Sequence, residues 1–224
     1  MKSLKKYIAE FIGTFVLVLV ACGVAVKSTC ATSADVLLTA LAFGGVIVAM
    51  AYSIGNISGC HINPAVSVAV LINGGMSFRD FIGYVIAQYA GATAGAAVLG
   101  VFLGDFSALG ANNVGPGIWL SLLIEVVLTC IFVLAVLGAT SKIENSKVAG
   151  LVIGGSLALV HMLGVWLTGT SVNPARSFGP ALLQGGDAIK CYWVFLVGPM
   201  VGGVLAALLC KFVLNAKEKE PEQK

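Results

Sequence analysis

The sequence predicts an all-α membrane protein with six transmembrane helices and two half-helices arranged as an inverted repeat. Three observations predict this fold: the composition is apolar, the apolar residues form long runs, and the second half of the chain repeats motifs of the first. The mean hydropathy is +1.00 and 10% of the 224 residues are charged, against roughly 25% in soluble domains. We therefore expect the chain to lie in a lipid bilayer, and lipid is a predicted partner of the protein.

Six apolar runs are long enough to cross a bilayer, for which about 20 residues are needed. We predict spans at 7–26, 35–55, 81–103, 118–139, 148–167 and 191–213. The basic start of the chain resembles a signal peptide, but the apolar run after it lacks an obvious cleavage site and is interpreted as the first span. Two segments that begin with proline, 64–73 and 174–184, would each cover about 15 Å, half of the hydrocarbon core. They are predicted to be half-helices.

A shift of 110 positions places the motifs of the first half on those of the second. It carries Gly44-Gly45 onto Gly154-Gly155, and segment 59–65 onto segment 169–175. We therefore predict two repeats, 1–114 and 115–224, that form one domain. Each repeat has an odd number of spans, so the second enters the membrane from the opposite side and the repeat is inverted.

The distribution of basic residues predicts the orientation. Ten of the thirteen Lys and Arg residues fall on the side that holds both termini, which the positive-inside rule makes cytoplasmic. Short termini and loops favour a plasma (inner) membrane. The basic residues cluster at the termini and in short loops, so nucleic-acid binding is not expected. The six cysteines lack metal-ligand spacing, and no metal, cofactor or disulfide framework is predicted.

Each repeat carries an Asn-Pro-Ala triplet at the start of its half-helix: Asn63-Pro64-Ala65 and Asn173-Pro174-Ala175. Asn suits a helix N-cap, and Pro suits the first helical position. In a single instance Asn-Pro commonly marks only a turn with a helix start. Two triplets in register within an inverted repeat instead predict two helix N-termini that meet near the membrane midplane.

The residues before each triplet would be irregular backbone at membrane depth, which is tolerated where it lines a wet cavity. Their carbonyls are expected to form ladders of acceptors, contributed by Gly59, Cys60, His61, Ile62, Gly169, Thr170 and Ser171. The two half-helices direct partial positive charge at the centre and disfavour cations and protons. If both Asn amides donate to one water oxygen, its hydrogens point outward and a proton wire is broken. A neutral hydrogen-bonding solute still passes.

These residues resemble the aquaporin, or major intrinsic protein, family over essentially the whole chain. The motifs are SGCHINPAV at 58–66, TSVNPARS at 170–177 and AEFIGTF at 9–15. The resemblance implies a right-handed bundle of six tilted helices and two half-helices, assembled as a homotetramer with one pore in each subunit. It also implies a passive channel with water as the permeant, not an enzyme.

The resemblance further implies a selectivity filter made of Phe43, His161, Thr170 and Arg176. Glycerol-conducting members typically have a small residue at the position of His161 and Asp at that of Ser177, so this chain is similar to the water-selective type. The rings of His161 and Phe43 would narrow the opening, while Arg176 and His161 supply donors and Arg176 repels cations. A charged residue within a membrane is a functional candidate by default.

Four further side chains have predicted roles near the triplets. Glu10 and Glu125 stand at matching places in the two repeats and are expected to brace the loops by accepting N–H bonds. His61 would either line the inner vestibule or brace its loop. Cys60, the repeat equivalent of Thr170, would be either a mercurial target in the inner vestibule or a buried, inert thiol.

Several functions remain open from the residues. A broader channel for glycerol or other small neutral solutes is the main alternative to a water channel. A secondary transporter shares inverted repeats and broken helices, but it needs a coupling-ion site and the intramembrane acids already have structural roles. An enzyme would have only two histidines and two glutamates to use, without metal-binding spacing. A closed pore with a purely structural role would keep the same motifs.

Overall fold

The structure is a computed structural model that describes residues 2–141 and 147–214. Lys142 and the polar tail 216–224, which the sequence places on the cytoplasmic side, lie outside the described residues. Within those ranges every regular element is helical. The predicted all-α class with six spans and two half-helices is confirmed.

Six helices are long and apolar enough to cross a membrane, and two shorter ones lie between them. In chain order the elements are α1 (Ser3–Ser28), α2 (Ser33–Ser58), α3 (Pro64–Ile72), α4 (Phe78–Leu103), α5 (Ile118–Thr140), α6 (Ala149–Thr168), α7 (Pro174–Gln184) and α8 (Gly186–Leu214).

Most predicted bounds agree within a few residues, and the largest difference is at α8. The prediction starts this span at 191, but the helix begins at Gly186, because Gly185 and Gly186 adopt positive φ and turn the chain directly from α7. Its first turns carry Asp187 and Lys190, which form an exposed salt bridge of 3.0 Å. Hydropathy misses this turn because its charged residues lie beyond the apolar run.

The half-helices begin where the triplets predict. Asn63 is extended, with φ −159° and ψ 121°, and its Oδ1 accepts the N–H of Ala65 at 2.8 Å. Asn173 has φ −157° and ψ 104°, and its Oδ1 accepts the N–H of Ala175 at 3.1 Å. In both cases the side chain satisfies a helix N–H that has no partner inside the helix.

Glycines allow the helices to approach closely at equivalent places in the two halves. A Cβ on Gly44 of α2 would lie 2.5 Å from the carbonyl oxygen of Gly154 in α6, and a Cβ on Gly154 would lie 2.5 Å from that of Gly44. The α2–α6 crossing is therefore nearly two-fold symmetric. Small residues at such crossings are typical of membrane helices.

Each half-helix packs on the last span of the other half. Gly203 of α8 leaves room for the backbone of Ala65 in α3, and Gly179 of α7 leaves room against Ala92 in α4. This exchange holds the two half-helices in place and brings their N-termini to the centre of the bundle.

Candidate functional site

The two Asn-Pro-Ala triplets are joined by reciprocal hydrogen bonds. Asn63 Nδ2 donates to the carbonyl of Val172 at 2.7 Å, and Asn173 Nδ2 donates to the carbonyl of Ile62 at 2.9 Å. Both asparagines line the same central cavity. Each amide nitrogen carries two hydrogens, so each has one left for a molecule in that cavity.

The loop before each half-helix adopts a strained backbone. Cys60 and Ile62 have positive φ of 50° and 41°, and their equivalents Thr170 and Val172 each have 45°. Such φ values are unfavourable for β-branched residues and persist only where the surroundings enforce them.

Glu10 of α1 holds the first of these loops. Its Oε1 accepts the hydroxyl of Ser58 at 2.7 Å and the N–H of His61 at 2.9 Å, while its Oε2 accepts the N–H of Ile62 at 2.6 Å. Gln88 Nε2 adds a further bond to Oε2 at 2.8 Å. The carboxyl group is fully buried, and these donors compensate for its lost hydration.

Glu125 of α5 holds the second loop in the same way. Its Oε1 accepts the hydroxyl of Thr168 at 2.7 Å and the N–H of Ser171 at 2.9 Å, and its Oε2 accepts the N–H of Val172 at 2.9 Å. The loop donors match those of Glu10 one for one, although Gln88 has no counterpart here because Pro199 stands at the equivalent position.

Three of the four predicted filter side chains lie together. The rings of Phe43 and His161 stack with centroids 4.2 Å apart and an angle of 24° between their planes, and Arg176 Cζ lies 4.9 Å from the centroid of Phe43. Their exposed fractions are 2%, 1% and 2%, respectively. All three line the central cavity.

The constriction carries polar atoms without protein partners. His161 Nδ1 lies 2.9 Å from the carbonyl of Leu157, which can only accept, so this nitrogen carries the hydrogen. His161 Nε2 and Arg176 Nε are buried and unpartnered. Nε2 is then an acceptor in the neutral ring, and the N–H groups of Arg176 Nε and Nη2 are donors outside the two bonds of Nη1.

The central cavity is narrow and mostly apolar. It leaves about 10 Å³ for the centres of water-sized molecules, which is about the space that one water needs. Beyond the filter residues and the two asparagines, its lining consists of Leu17, Ile47, His61, Phe132, Leu157, Ser171 and Val172.

A wider vestibule of about 490 Å³ opens at the end of the bundle where the chain begins, between Lys6, Asp80 and Tyr84. His61 lines both the vestibule and the central cavity, and its Nδ1 lies 3.1 Å from Ser67 Oγ. The two roles considered for His61, lining and bracing, are therefore both present in the structure.

Comparison with known proteins identifies the family. The model of the family "Major intrinsic protein" matches residues 1–210. The chain belongs to the major intrinsic protein family. Members of this family are channels, not enzymes.

Two relatives match over nearly the full length of this family member. It is 40% identical to "Glycerol uptake facilitator protein-like 6" of Lactiplantibacillus plantarum, over 96% of this chain and 100% of that protein. It is 39% identical to "Aquaporin Z" of Brucella melitensis, over 95% of this chain and 99% of that protein. The aquaglyceroporin structure from Plasmodium falciparum has a TM-score of 0.85 at 24% identity, covering 95% of this chain and 97% of that one. This last likeness shows the fold.

The structure places the side chain of Thr170 apart from the other predicted filter residues and that of Cys60 outside the vestibule, which agrees with one of its two predicted alternatives. Thr170 was grouped with the filter side chains, but its side chain is fully buried against Gly164 of α6 and lies outside the cavity lining. Cys60 is half-buried and lines neither the cavity nor the vestibule. The shared backbone explains both: positive φ at these equivalent positions turns the side chains toward the neighbouring helices.

One predicted acceptor has a partner within the protein. The carbonyl of Ile62, predicted to be one of the pore-lining acceptors, accepts the amide of Asn173 and keeps its second lone pair. We propose that the other carbonyls of the two ladders, including those of Gly59 and Gly169, are acceptors that line the pore. Both glycines end a long helix with positive φ, 83° and 75°, a conformation that glycine adopts without strain.

Sequence reasoning missed Asn112, in the loop between α4 and α5. Its Oδ1 accepts Arg176 Nη1 at 2.9 Å and the hydroxyl of Ser177 at 2.7 Å. It lies 64 residues before Arg176 in the chain, and no motif links the two. The only signal was the Gly and Asn content of the loop, which is typical of turns in general.

Proposed function

We propose that this protein is a passive water channel that excludes protons and ions. The observation that carries the proposal is the stack of Phe43 and His161 beside Arg176, in the wall of a central cavity that has space for about one water. The unpartnered His161 Nε2 and Arg176 Nε match the donor and acceptor capacity of water. A solute with a carbon backbone finds little room there.

The asparagine geometry supports exclusion of protons. Asn63 and Asn173 each keep one amide hydrogen for the cavity, so a water oxygen that accepts both has its own hydrogens directed along the pore. Two helix N-termini and the charge of Arg176 raise the energy of a cation nearby. A water molecule has no net charge, so these positive charges do not raise its energy in the same way.

Osmotic shrinkage of proteoliposomes tests the proposal. Vesicles containing the protein should shrink much faster than empty vesicles in an impermeant osmolyte, with little glycerol entry and no proton flux under a pH gradient. Water flux equal to that of empty vesicles would overturn it.

A broader channel for glycerol or other small neutral solutes is the second candidate. The relative at 40% identity is named a glycerol uptake facilitator-like protein, which favours this alternative. The glycerol arm of the same experiment separates the two candidates, because a broad channel passes glycerol readily.

We further propose that the channel is a homotetramer in a plasma (inner) membrane with both termini in the cytoplasm, built from the inverted repeats 1–114 and 115–224. The family resemblance supports the assembly. The positive-inside bias supports the orientation. Native mass spectrometry and protease access to the termini in oriented vesicles test these points.

A further inference from the structure

Arg176 is a buried cation held mainly by neutral oxygens. Its Nη1 donates to the carbonyl of Gly110 at 2.9 Å and to Asn112 Oδ1 at 2.9 Å. The salt bridges found among residues 2–141 and 147–214 do not include Arg176. A buried guanidinium needs hydrogen-bond acceptors in compensation, so its position depends on these two oxygens.

Asn112 is itself fixed on three sides. It is 5% exposed, and its Nδ2 donates to the carbonyl of Thr168 at the end of α6, at 3.1 Å. Its Oδ1 accepts both Arg176 and the hydroxyl of Ser177. One side chain therefore connects the loop, α6 and α7.

The second acceptor of Arg176, the carbonyl of Gly110, belongs to a residue that packs against α1. Gly110 has φ of +76°, and a Cβ there would lie 3.0 Å from the Cβ of Cys22. Cys22 ends a π-helical stretch, Leu17–Cys22, in which Leu17 lines the cavity. Leu109, which precedes Gly110 in the chain, is fully buried, and its N–H donates to Gln184 Oε1 at 3.2 Å.

We propose that Asn112 is a positioning residue for the filter: its side-chain carbonyl holds the guanidinium of Arg176 at the wall of the constriction. The inference rests on the proposed water channel. Without that acceptor, the Nη1 of Arg176 keeps only Gly110, and the freed hydrogen turns to water in the passage. Loss of one charge-assisted hydrogen bond shifts the equilibrium between Arg176 bound at the wall and Arg176 released into the passage by about tenfold or more.

Ser177 belongs to the same hydrogen-bond network as Asn112 and Arg176. Its hydroxyl donates to Asn112 Oδ1, and a hydrogen bond of 2.6 Å joins it to Ser171 in the cavity lining. An aspartate at 177 would replace this donor by an acceptor, so Asn112 Oδ1 would lose the bond from the hydroxyl.

The test is a double-mutant cycle on water permeability per channel in proteoliposomes, using Asn112→Ala, Arg176→Ala and the double variant. We expect Asn112→Ala to reduce water permeability by about twofold or more, because fewer channels then hold Arg176 at the wall. When Arg176 is already alanine, Asn112→Ala should have no further effect. Asn112→Asp keeps the acceptor for Arg176 but loses the donor to the Thr168 carbonyl, so its permeability should exceed that of Asn112→Ala.

Asn113→Ala is the matched control, because Asn113 is exposed and, among the described residues, its side chain binds only the N–H of Gly115, at 2.9 Å. Unchanged permeability in Asn112→Ala, or an equal reduction with and without Arg176, would overturn the proposal. If Asn112→Ala fails to fold, Asn112→Leu, which is closer in size, replaces it in the cycle. Rapid glycerol flux in the wild type would instead contradict the proposed function, while the cycle in water flux would still test Asn112.

Discussion

Phe43 and His161 stack face to face, with ring centroids 4.2 Å apart. Phe43 belongs to α2 and His161 to α6, and both helices cross tightly at Gly44 and Gly154. The close helix crossing thus brings the two elements that carry the stacked rings together.

Replacing His161 by glycine should open the filter. The change removes one of the stacked rings and leaves space beside Phe43, so glycerol permeability should rise by about tenfold, equivalent to about 1.4 kcal/mol in the barrier. Glycerol uptake by proteoliposomes, measured by light scattering, checks this. A wild type that passes glycerol as fast as the variant would mean that the ring pair is not limiting.

Replacing Arg176 by alanine should admit cations. At about 5 Å and an effective dielectric constant of about 20, the guanidinium raises the energy of a monovalent cation by about 3 kcal/mol. Proton flux under a pH gradient, followed with an entrapped dye, should therefore rise by up to about a hundredfold. His161→Gly is the control, because it widens the filter and keeps the charge. Equal proton leakage in both variants would indicate that width, not charge, excludes protons.

Glu125→Gln should destabilise the protein more than Glu10→Gln. In either variant the new amide group faces N–H and O–H donors, at a cost of about 3 kcal/mol. Near Glu10, however, Gln88 Oε1 is buried and unpartnered, and it can rotate to accept the new N–H. Thermal unfolding midpoints in detergent measure the difference, with exposed Asp105→Asn as the control. A lower midpoint for Glu10→Gln would contradict the role assigned to Gln88.

Mercurials should act weakly on the wild type, and Cys60→Ser should leave any inhibition unchanged. Cys60 lies outside both cavity linings, so mercury bound there does not block the path. Leu17→Cys places a thiol in the lining and should create a channel that mercury inhibits strongly. Osmotic shrinkage with and without mercuric chloride compares the three proteins. Loss of inhibition in Cys60→Ser would restore the alternative role of Cys60 as the mercurial target.

Much of this fold follows from local features of the sequence. Long apolar runs predict the spans because a bilayer requires about 20 such residues per crossing. The starts of α3 and α7 follow from Asn and Pro, whose capping and fixed φ act within a few residues of the chain. The family resemblance also predicted a site of Phe43, His161 and Arg176, whose side chains lie together in the structure.

Tertiary structure alone decided how these residues meet. The bond from Asn173 to the carbonyl of Ile62, the burial of Thr170 against Gly164, and the hold of Asn112 on Arg176 join segments that are distant in sequence or depend on backbone turns at positive φ. Such contacts depend on the packing of helices from both halves, and hydropathy and capping carry no information about it. Hydropathy and helix capping thus predict the membrane spans and the starts of the half-helices, because both act locally, whereas the packing of distant helices sets which atoms face the cavity.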